Sequence, residues 1–206
     1  MAVPGSLAQR VFLLAYDPAK GRIRVGTYLG AMLRAAALAD LYLDGHLTDE
    51  RGGAAVDARH PCRDPLLAAL LDEIAGSKRR TWESWVDRRQ RAAVSAVRRQ
   101  LSDGGWVRLE PHRILGVFPA TRVTIRDPRV RKELLSRVNG ALKNPIGKAD
   151  PADAALVAIV AAGGLTLVLD RRTKRAGKRR IEELTRLSGP IGPALRKAIE
   201  AAAAAG

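Results

Sequence analysis

The sequence predicts a mainly α-helical protein that carries short β-hairpins, folded as one domain over residues 1–206. A helix–hairpin–helix unit occurs twice, about sixty residues apart. In each copy an alanine- and leucine-rich stretch ends in a glycine turn, at Leu43–Leu47 and at Leu101–Val107. An Asp-Pro dipeptide follows each hairpin, at Asp64-Pro65 and at Asp127-Pro128. Aspartate is a favoured N-cap and proline is tolerated at the first helical position, so each dipeptide predicts a helix start.

The first quarter of the chain is predicted to contain two helices and a hairpin. Ser6 is placed to cap the first helix. The second helix is expected to run from about Thr27 to Leu43, where Asp44-Gly45 closes it. Gly52-Gly53 lies between two short runs within residues 47–59, which is typical of a hairpin turn.

The next segment is predicted to form two helices joined by a basic link. The first covers Pro65 to Ile74, and Lys78-Arg79-Arg80 is the exposed link. Trp82 to Leu101 is predicted as one longer helix. It carries five arginines, which are Arg88, Arg89, Arg91, Arg98 and Arg99.

Residues 106–125 form the clearest β region of the sequence. A first strand containing Val107 and Leu109 is expected to end in a turn at Glu110–Arg113. A second strand is expected at Ile114–Phe118. Because Pro119 interrupts the ladder, a third strand at Arg122–Ile125 should be short or lie at an edge.

The remainder of the chain is predicted to be helical. A helix should cover Pro128 to Leu142, and Asp150-Pro151 repeats the cap chemistry at the start of an apolar helix. A basic run, Arg171 to Arg180, precedes a helix from Ile181 to Leu187, and a last helix ends in alanines. The most apolar run, Ala154 to Leu169, falls short of a membrane span.

The net charge of +15 and the pI near 11.1 indicate a polyanionic partner, which means nucleic acid, anionic lipid or an acidic protein. Cys62 is the single cysteine, and the first residues lack the features of a secretory signal. We therefore expect a protein of the reducing cytoplasm that does not cross a membrane.

The sequence offers no catalytic residue, metal site or cofactor site. It contains neither the phosphate-binding GxxxxGK[ST] loop nor the dinucleotide GxGxxG fingerprint. His60-Pro61-Cys62 has two side chains that bind metals, but too few further ligands accompany them for a structural zinc site. We therefore expect a binding protein and not an enzyme.

The arginines are the candidate binding residues. Arg34 lies among apolar residues, so it must pair with an acid, extend to the surface or face an anionic ligand. Arg88, Arg91 and Arg98 recur near helical spacing and form a basic stripe, which is either a solvated helix face or half of a phosphate clamp.

Several segments, in order along most of the chain, resemble the Golgi phosphoprotein 3 family, specifically its bacterial branch. They are Leu33-Arg34, Leu41–Leu47, Asp64–Leu67, Trp85-Val86, Leu101–Val107 and Lys178–Leu184. The resemblance implies a helical bundle ringed by further helices, with a projecting β-hairpin. It also implies a peripheral membrane protein, since eukaryotic members bind phosphatidylinositol 4-phosphate through a tryptophan and several arginines.

The headgroup residues of the family carry over in part. Arg34 and Arg91 match two of its arginines. The tryptophan position is Val25 and a further arginine position is Val94, so the resemblance leaves the lipid open. Arg98 lies about one turn after Val94 and Arg88 six residues before it, and both are candidate substitutes. The expected partner is an anionic, phosphoinositide-like headgroup on the inner face of a membrane, with an unidentified protein cargo.

The family uses its hairpin for membrane contact or self-association. Here the corresponding large apolar side chains are Ile114, Leu115, Val117 and Phe118. They are expected to be partly exposed or covered by a second copy, although one strand face packed on the core would account for about half of them by alternation.

The alternative is a nucleic-acid-binding protein in which a helix and a hairpin act as a winged-helix-like unit. The distribution of basic residues over several segments argues against it without excluding it.

Overall fold

The computed structural model describes residues 2–23, 28–57, 61–114 and 118–205, with the backbone alone for residues 112–114 and 118–120. These residues form α-helices and three two-stranded antiparallel hairpins, so the prediction of a mainly α protein is confirmed. The helices are α1 (Leu7–Leu14), α2 (Leu29–Leu43), α3 (Pro65–Ala75), α4 (Trp82–Asp87), α5 (Gln90–Asp103), α6 (Pro128–Lys143), α7 (Pro151–Ala162), α8 (Arg171–Ala176), α9 (Lys178–Leu187) and α10 (Ile191–Ala204). The strands are β1 (Tyr16–Asp17), β2 (Arg22–Ile23), β3 (Leu47–Glu50), β4 (Gly53–Val56), β5 (Val107–Ile114) and β6 (Phe118–Ile125).

Helix α2 is the centre of the bundle. Twelve of its fifteen residues are buried, and α1, α3, α4, α5, α7 and α10 all pack on it. The helix is rich in alanine, and Gly30 lies against the backbone of Gln90 at the start of α5. Small side chains allow such close approach, because any larger group would separate the helices.

The predicted Asp-Pro helix starts are confirmed. Asp64, Asp127 and Asp150 each accept a hydrogen bond from a backbone N–H in the first turn of the helix that follows. Ser6 likewise accepts from the Gln9 backbone at the start of α1. These side chains satisfy amide groups that have no partner within the helix.

The prediction of one helix from Trp82 to Leu101 is wrong. Helix α4 ends at Asp87, Arg88 is extended, and Arg89 adopts a left-handed conformation with φ of 48° before α5 begins. The left-handed region is costly for a residue with a side chain. Arg88 therefore does not lie on the basic helix face that the sequence predicted for Arg88, Arg91 and Arg98.

The predicted arrangement of strands in residues 106–125 is also wrong. Strand β5 continues through Glu110–Arg113 to Ile114 and pairs with β6 in one register, from Val107 opposite Ile125 to Ile114 opposite Phe118. Residues 122–125 are the end of β6 and form no third strand. Prolines are tolerated here because both strands of a two-stranded ribbon are edges, so the missing N–H need not break a ladder.

The base of this hairpin belongs to the core, since Val107, Val123 and Ile125 are buried. Beyond them Pro111 and Arg122 are exposed. Of the apolar set predicted for membrane contact, Leu115 and Val117 lie outside the described residues, and Ile114 and Phe118 are described by their backbone pairing alone. Their exposure stays a prediction.

The predicted basic run at residues 171–180 forms all of α8 and the first turn of α9. Helix α9 packs on α6 and α7, and α8 packs on α9. Helix α7 is the most apolar of the set, and residues Ala154–Ala161 are all buried. Within the described residues, no helix combines the length and the apolar character that a membrane span requires.

Candidate anion-binding site

Arg34 is buried and paired with an acid. Only 4% of the residue is exposed, and its Nε donates to the Trp85 carbonyl oxygen at 3.2 Å. Both terminal nitrogens donate to the Glu73 carboxylate of α3 at 3.4 Å. Of the three environments that the sequence left open for Arg34, the structure shows the ion pair.

Glu73 is shared by two further arginines, which follow each other between α4 and α5. The Nε atoms of Arg88 and Arg89 lie 3.3 Å and 3.4 Å from Oε1 of Glu73. The extended backbone of Arg88 and the left-handed backbone of Arg89 allow both side chains to reach the same carboxylate. Three guanidinium groups thus surround one carboxylate, and the cluster carries an excess of two positive charges.

Trp85 forms the floor beneath part of this cluster. Its side chain is fully buried, and the guanidinium groups of Arg88 and Arg80 lie over its ring, 5.7 Å and 6.0 Å from the centroid. A cation over the face of an indole is attracted by the ring quadrupole. Trp85 therefore holds arginines in place and is not itself exposed to a ligand.

Burial lowers the pKa of the Arg34 guanidinium, because the charged form loses its hydration. Glu73 opposes that shift by charge and by hydrogen bonding, whereas Arg88 and Arg89 add to it by repulsion. The charge of Arg34 thus depends on Glu73, and Glu73 is the residue on which the cluster is assembled.

The cluster lies at one end of a groove of about 460 Å³ between α3 and α5. The middle of the groove is apolar, and Arg99 and Asp103 line it near the end of α5. Its apolar lining consists of Pro65, Leu66, Ala69, Leu70, Ala92, Ala93 and Ala96. The groove therefore joins an apolar surface to a site with excess positive charge.

Arg91 and Arg98 occupy a different flank of α5. At 100° per residue they lie about 140° and 155° around the helix from the centre of the α5 residues that line the groove. Arg91 is exposed, and Val94 and Arg98 are half-buried. The Arg98 Nε is buried and finds no hydrogen-bond acceptor among the described atoms. Neither arginine lines the groove with Arg34, and Val25 lies outside the described residues.

The sequence indicated Arg34 and Arg88 as binding residues but did not single out Arg89 or Glu73. The tandem Arg88-Arg89 was visible in the sequence, but an unbroken helix would have sent the two side chains in directions 100° apart. The structure pairs Glu73 with three arginines. Asp40 accepts two hydrogen bonds from the Leu7 backbone at the start of α1.

The described residues contain no group of three or more histidine, cysteine, aspartate or glutamate side chains arranged to hold a metal ion. His60 lies outside them. Cys62 is half-buried, and desolvation raises the pKa of its thiol.

A comparison with protein-family models matches residues 7–202 to Golgi phosphoprotein 3. The match spans nearly the whole chain, from α1 into α10, and includes the arginine cluster and the groove. No curated protein matches the sequence.

Proposed function

The chain belongs to the Golgi phosphoprotein 3 family, and we propose that it is a peripheral membrane protein that binds anionic lipid headgroups of the phosphoinositide type. In this proposal it acts as an adaptor without enzymatic activity, on the inner face of a membrane. Binding to a protein cargo belongs to the same proposal.

The observation that carries the proposal is the ratio of three guanidinium groups to one carboxylate at Glu73. A phosphomonoester carries close to two negative charges near neutral pH, which equals the charge that Glu73 leaves uncompensated. Arg88 and Arg89 have side chains 38% and 67% exposed, so both are accessible to a headgroup. Guanidinium groups offer paired N–H donors that match phosphate oxygens.

The four arginines expected from the sequence have different roles in this proposal. Arg34 is a positioning residue, because its donors are occupied by Glu73 and the Trp85 carbonyl. Arg88 contacts the headgroup together with Arg89. Arg91 and Arg98 extend the positive surface along the neighbouring flank of α5 and attract the anionic membrane.

The hairpin supplies the second membrane signal. The side chains of Ile114, Leu115, Val117 and Phe118 at its far end insert into the interface or pair with a second copy of the protein. A single weak signal gives marginal membrane affinity, whereas an apolar insertion combined with a basic surface gives stable association.

The experiment is vesicle flotation with three compositions: neutral phosphatidylcholine, phosphatidylcholine with phosphatidylglycerol, and phosphatidylcholine with phosphatidylinositol 4-phosphate. We expect binding to require an anionic lipid and to weaken as salt rises, since screening shortens the range of the field to about 8 Å at physiological ionic strength. Arg88→Gln with Arg89→Gln should lower partition into the phosphoinositide vesicles by about 25-fold, at about fivefold for each basic residue.

Arg91→Gln with Arg98→Gln tests the second flank in the same way. The matched control is Arg126→Gln with Lys132→Gln, which removes two exposed basic side chains outside the cluster and α5. Salt-insensitive binding to neutral vesicles would contradict the proposal. Equal loss in the control and the Arg88/Arg89 variant would show that total charge, and not the cluster, is responsible.

The nucleic-acid alternative is tested with duplex DNA in the same buffer. Basic residues on several surfaces do not form one recognition helix, so we expect DNA to bind more weakly than phosphoinositide vesicles. Tighter binding to DNA would replace the lipid proposal with the nucleic-acid one.

A further inference from the structure

Helices α8 and α9 carry the densest positive charge of the chain. Residues 171–187 contain eight arginines and lysines and two glutamates, so this segment contributes +6 of the total net charge of +15. The four residues Arg171, Arg172, Arg175 and Lys178 are all exposed. A concentration of charge of this kind attracts an anionic surface.

Some basic residues of this segment have structural roles. Lys174 Nζ donates to the Ala161 carbonyl at the end of α7, and Arg180 donates to the Ala141 and Asn144 carbonyls at the end of α6. Positive groups at helix C-termini satisfy carbonyls that have no partner within the helix. These two residues therefore anchor α8 and α9 to the bundle.

Four of the remaining six cations have no such role. Arg171, Arg172, Arg175 and Lys178 form no ion pair with an acid in the part of the chain that the structure describes. Only Arg179 and Arg180 among the basic residues of the run pair with an acid there, and both use Glu183. Four exposed cations are thus held on an anchored helical surface, and of these Arg172 interacts electrostatically with Asp170, the N-cap of α8.

Two exposed apolar side chains lie on the elements that carry or anchor this charged segment. Ile146 is 39% exposed and Leu187 is 49% exposed, and only Val56 joins them as a large exposed apolar residue among the described ones. Arg180 ties α9 to the Asn144 carbonyl, two residues before Ile146. Leu187 lies seven residues after Arg180 and nine after Lys178, so it shares the Arg180 flank of α9 and lies about 180° around the helix from Lys178. Basic and apolar side chains together favour a membrane interface over nucleic acid, which has no apolar layer to receive Ile146 and Leu187.

This surface lies across the bundle from the Glu73 cluster. On α2, Arg34 reaches Glu73 in α3, whereas Met32 lies against Gly163 at the end of α7. Two residues correspond to about 200° around a helix, so α3 and α7 pack on opposite sides of α2. Helix α9 then packs on the outside of α7. At 8–10 Å per helix packing, the two basic surfaces are separated by about 25 Å.

We propose that the surface formed by Arg171, Arg172, Arg175 and Lys178 is a second membrane-contact surface that binds anionic bilayers. The separation of about 25 Å is roughly three times the screening length at physiological ionic strength. Because the two surfaces lie on opposite sides of α2, one flat bilayer cannot contact both, and a molecule that uses both joins two bilayers. The bridging depends on the headgroup site of the proposed function, whereas contact through the α8–α9 surface does not.

The test compares flotation with clustering of vesicles that contain about 30 mol % phosphatidylglycerol in phosphatidylcholine, where clustering is followed by light scattering. The variant replaces Arg171, Arg172, Arg175 and Lys178 with glutamine. These four side chains are exposed and form no ion pair within the described residues, so the thermal unfolding midpoint should change little. The matched control replaces four exposed basic residues on other elements with glutamine, which are Arg126, Lys132, Arg196 and Lys197.

We expect the parent and the control to cluster vesicles. The α8–α9 variant should still float with vesicles but should need at least about tenfold more protein to cluster them, since each basic residue close to an anionic surface contributes about fivefold to binding. Unchanged clustering by this variant would overturn the inference. A variant that loses affinity for duplex DNA while its vesicle binding and clustering stay unchanged would overturn it as well.

The two proposals fail in different ways. If Arg88→Gln with Arg89→Gln leaves flotation intact while the α8–α9 variant abolishes it, the headgroup site is wrong and the α8–α9 surface is the membrane contact. If the Arg88/Arg89 variant abolishes flotation and clustering and the α8–α9 variant changes neither, the headgroup site stands and the second surface does not.

Discussion

Replacing Glu73 with glutamine is expected to destabilise the fold by about 3 kcal/mol, because it leaves the buried Arg34 guanidinium without a carboxylate. The Arg34 side chain is 5% exposed and the Glu73 side chain 13%, so water cannot replace the lost charge. The substitution keeps the size of the side chain and one acceptor oxygen. The loss therefore reports the charge and not a cavity.

The other two partners of Glu73, Arg88 and Arg89, allow this loss of stability to be compared with the loss of exposed ion pairs. Arg88 and Arg89 contact the same carboxylate at 3.3 Å and 3.4 Å, but they are much more exposed than Arg34. Exposed ion pairs contribute about 0–1 kcal/mol, since water screens them. Arg88→Gln and Arg89→Gln should therefore each cost less than about 1 kcal/mol.

Urea unfolding followed by circular dichroism and by tryptophan fluorescence measures these differences. A double variant, Arg34→Met with Glu73→Leu, should be more stable than Glu73→Gln alone, because apolar groups remove the unpaired buried charge. If Glu73→Gln costs no more than Arg89→Gln, Arg34 does not depend on Glu73 and the reasoning fails. If the double variant is the less stable one, the burial of an unpaired guanidinium is not the cause of the loss.

Three further predictions concern the bundle. Burial raises the pKa of Asp40 from 3.8 to about 7, so the folded state binds a proton more tightly than the unfolded chain and its stability falls as pH rises between these values. The penalty at pH 8 approaches about 4 kcal/mol, and Asp40→Asn should remove it. The free energies of unfolding of the two proteins, measured by urea titration, should therefore diverge between pH 5 and pH 8. Gly30→Ala should cost about 1–3 kcal/mol, since its Cβ would lie 2.6 Å from the Gln90 Cβ, whereas Gly5→Ala meets no atom within 4 Å and should be nearly neutral in the same urea series. Asp64→Ala should cost about 1 kcal/mol, because it removes the N-cap of α3, and a loss well below that in the same assay would contradict the capping role.

Local chemistry was sufficient to predict the helix starts and the first of the two predicted hairpins. An aspartate before a proline satisfies amide groups within two or three residues, so nothing distant is needed to interpret it. Gly52, which lies in the turn between β3 and β4 with a positive φ, is likewise recognised from local sequence alone. The turn of the longer hairpin was misplaced because Pro111 suggested an end to the ladder, and only the pairing with β6 shows that an unpaired edge accepts it.

The break at Arg88 and Arg89 has no local signal, since neither glycine nor proline marks it. It exists because both arginines reach Glu73, which is contributed by α3, while Trp85 is buried beneath them. Interactions of this kind join residues far apart in sequence. Helical spacing therefore placed Arg88 on a stripe with Arg91 and Arg98, and the structure separates it from them.

The sequence by itself determined the helical class, the capped helix starts, the excess of positive charge and the family, because each depends on residue type and short spacing. The tertiary structure decided which basic side chains are held by internal partners and which are exposed to solvent. Arg34, Lys174 and Arg180 bind a buried acid or helix-end carbonyls, whereas Arg171 and Arg175 form no ion pair within the described residues. That division is set by packing, since a charge is paired or solvated only according to what the folded chain places beside it.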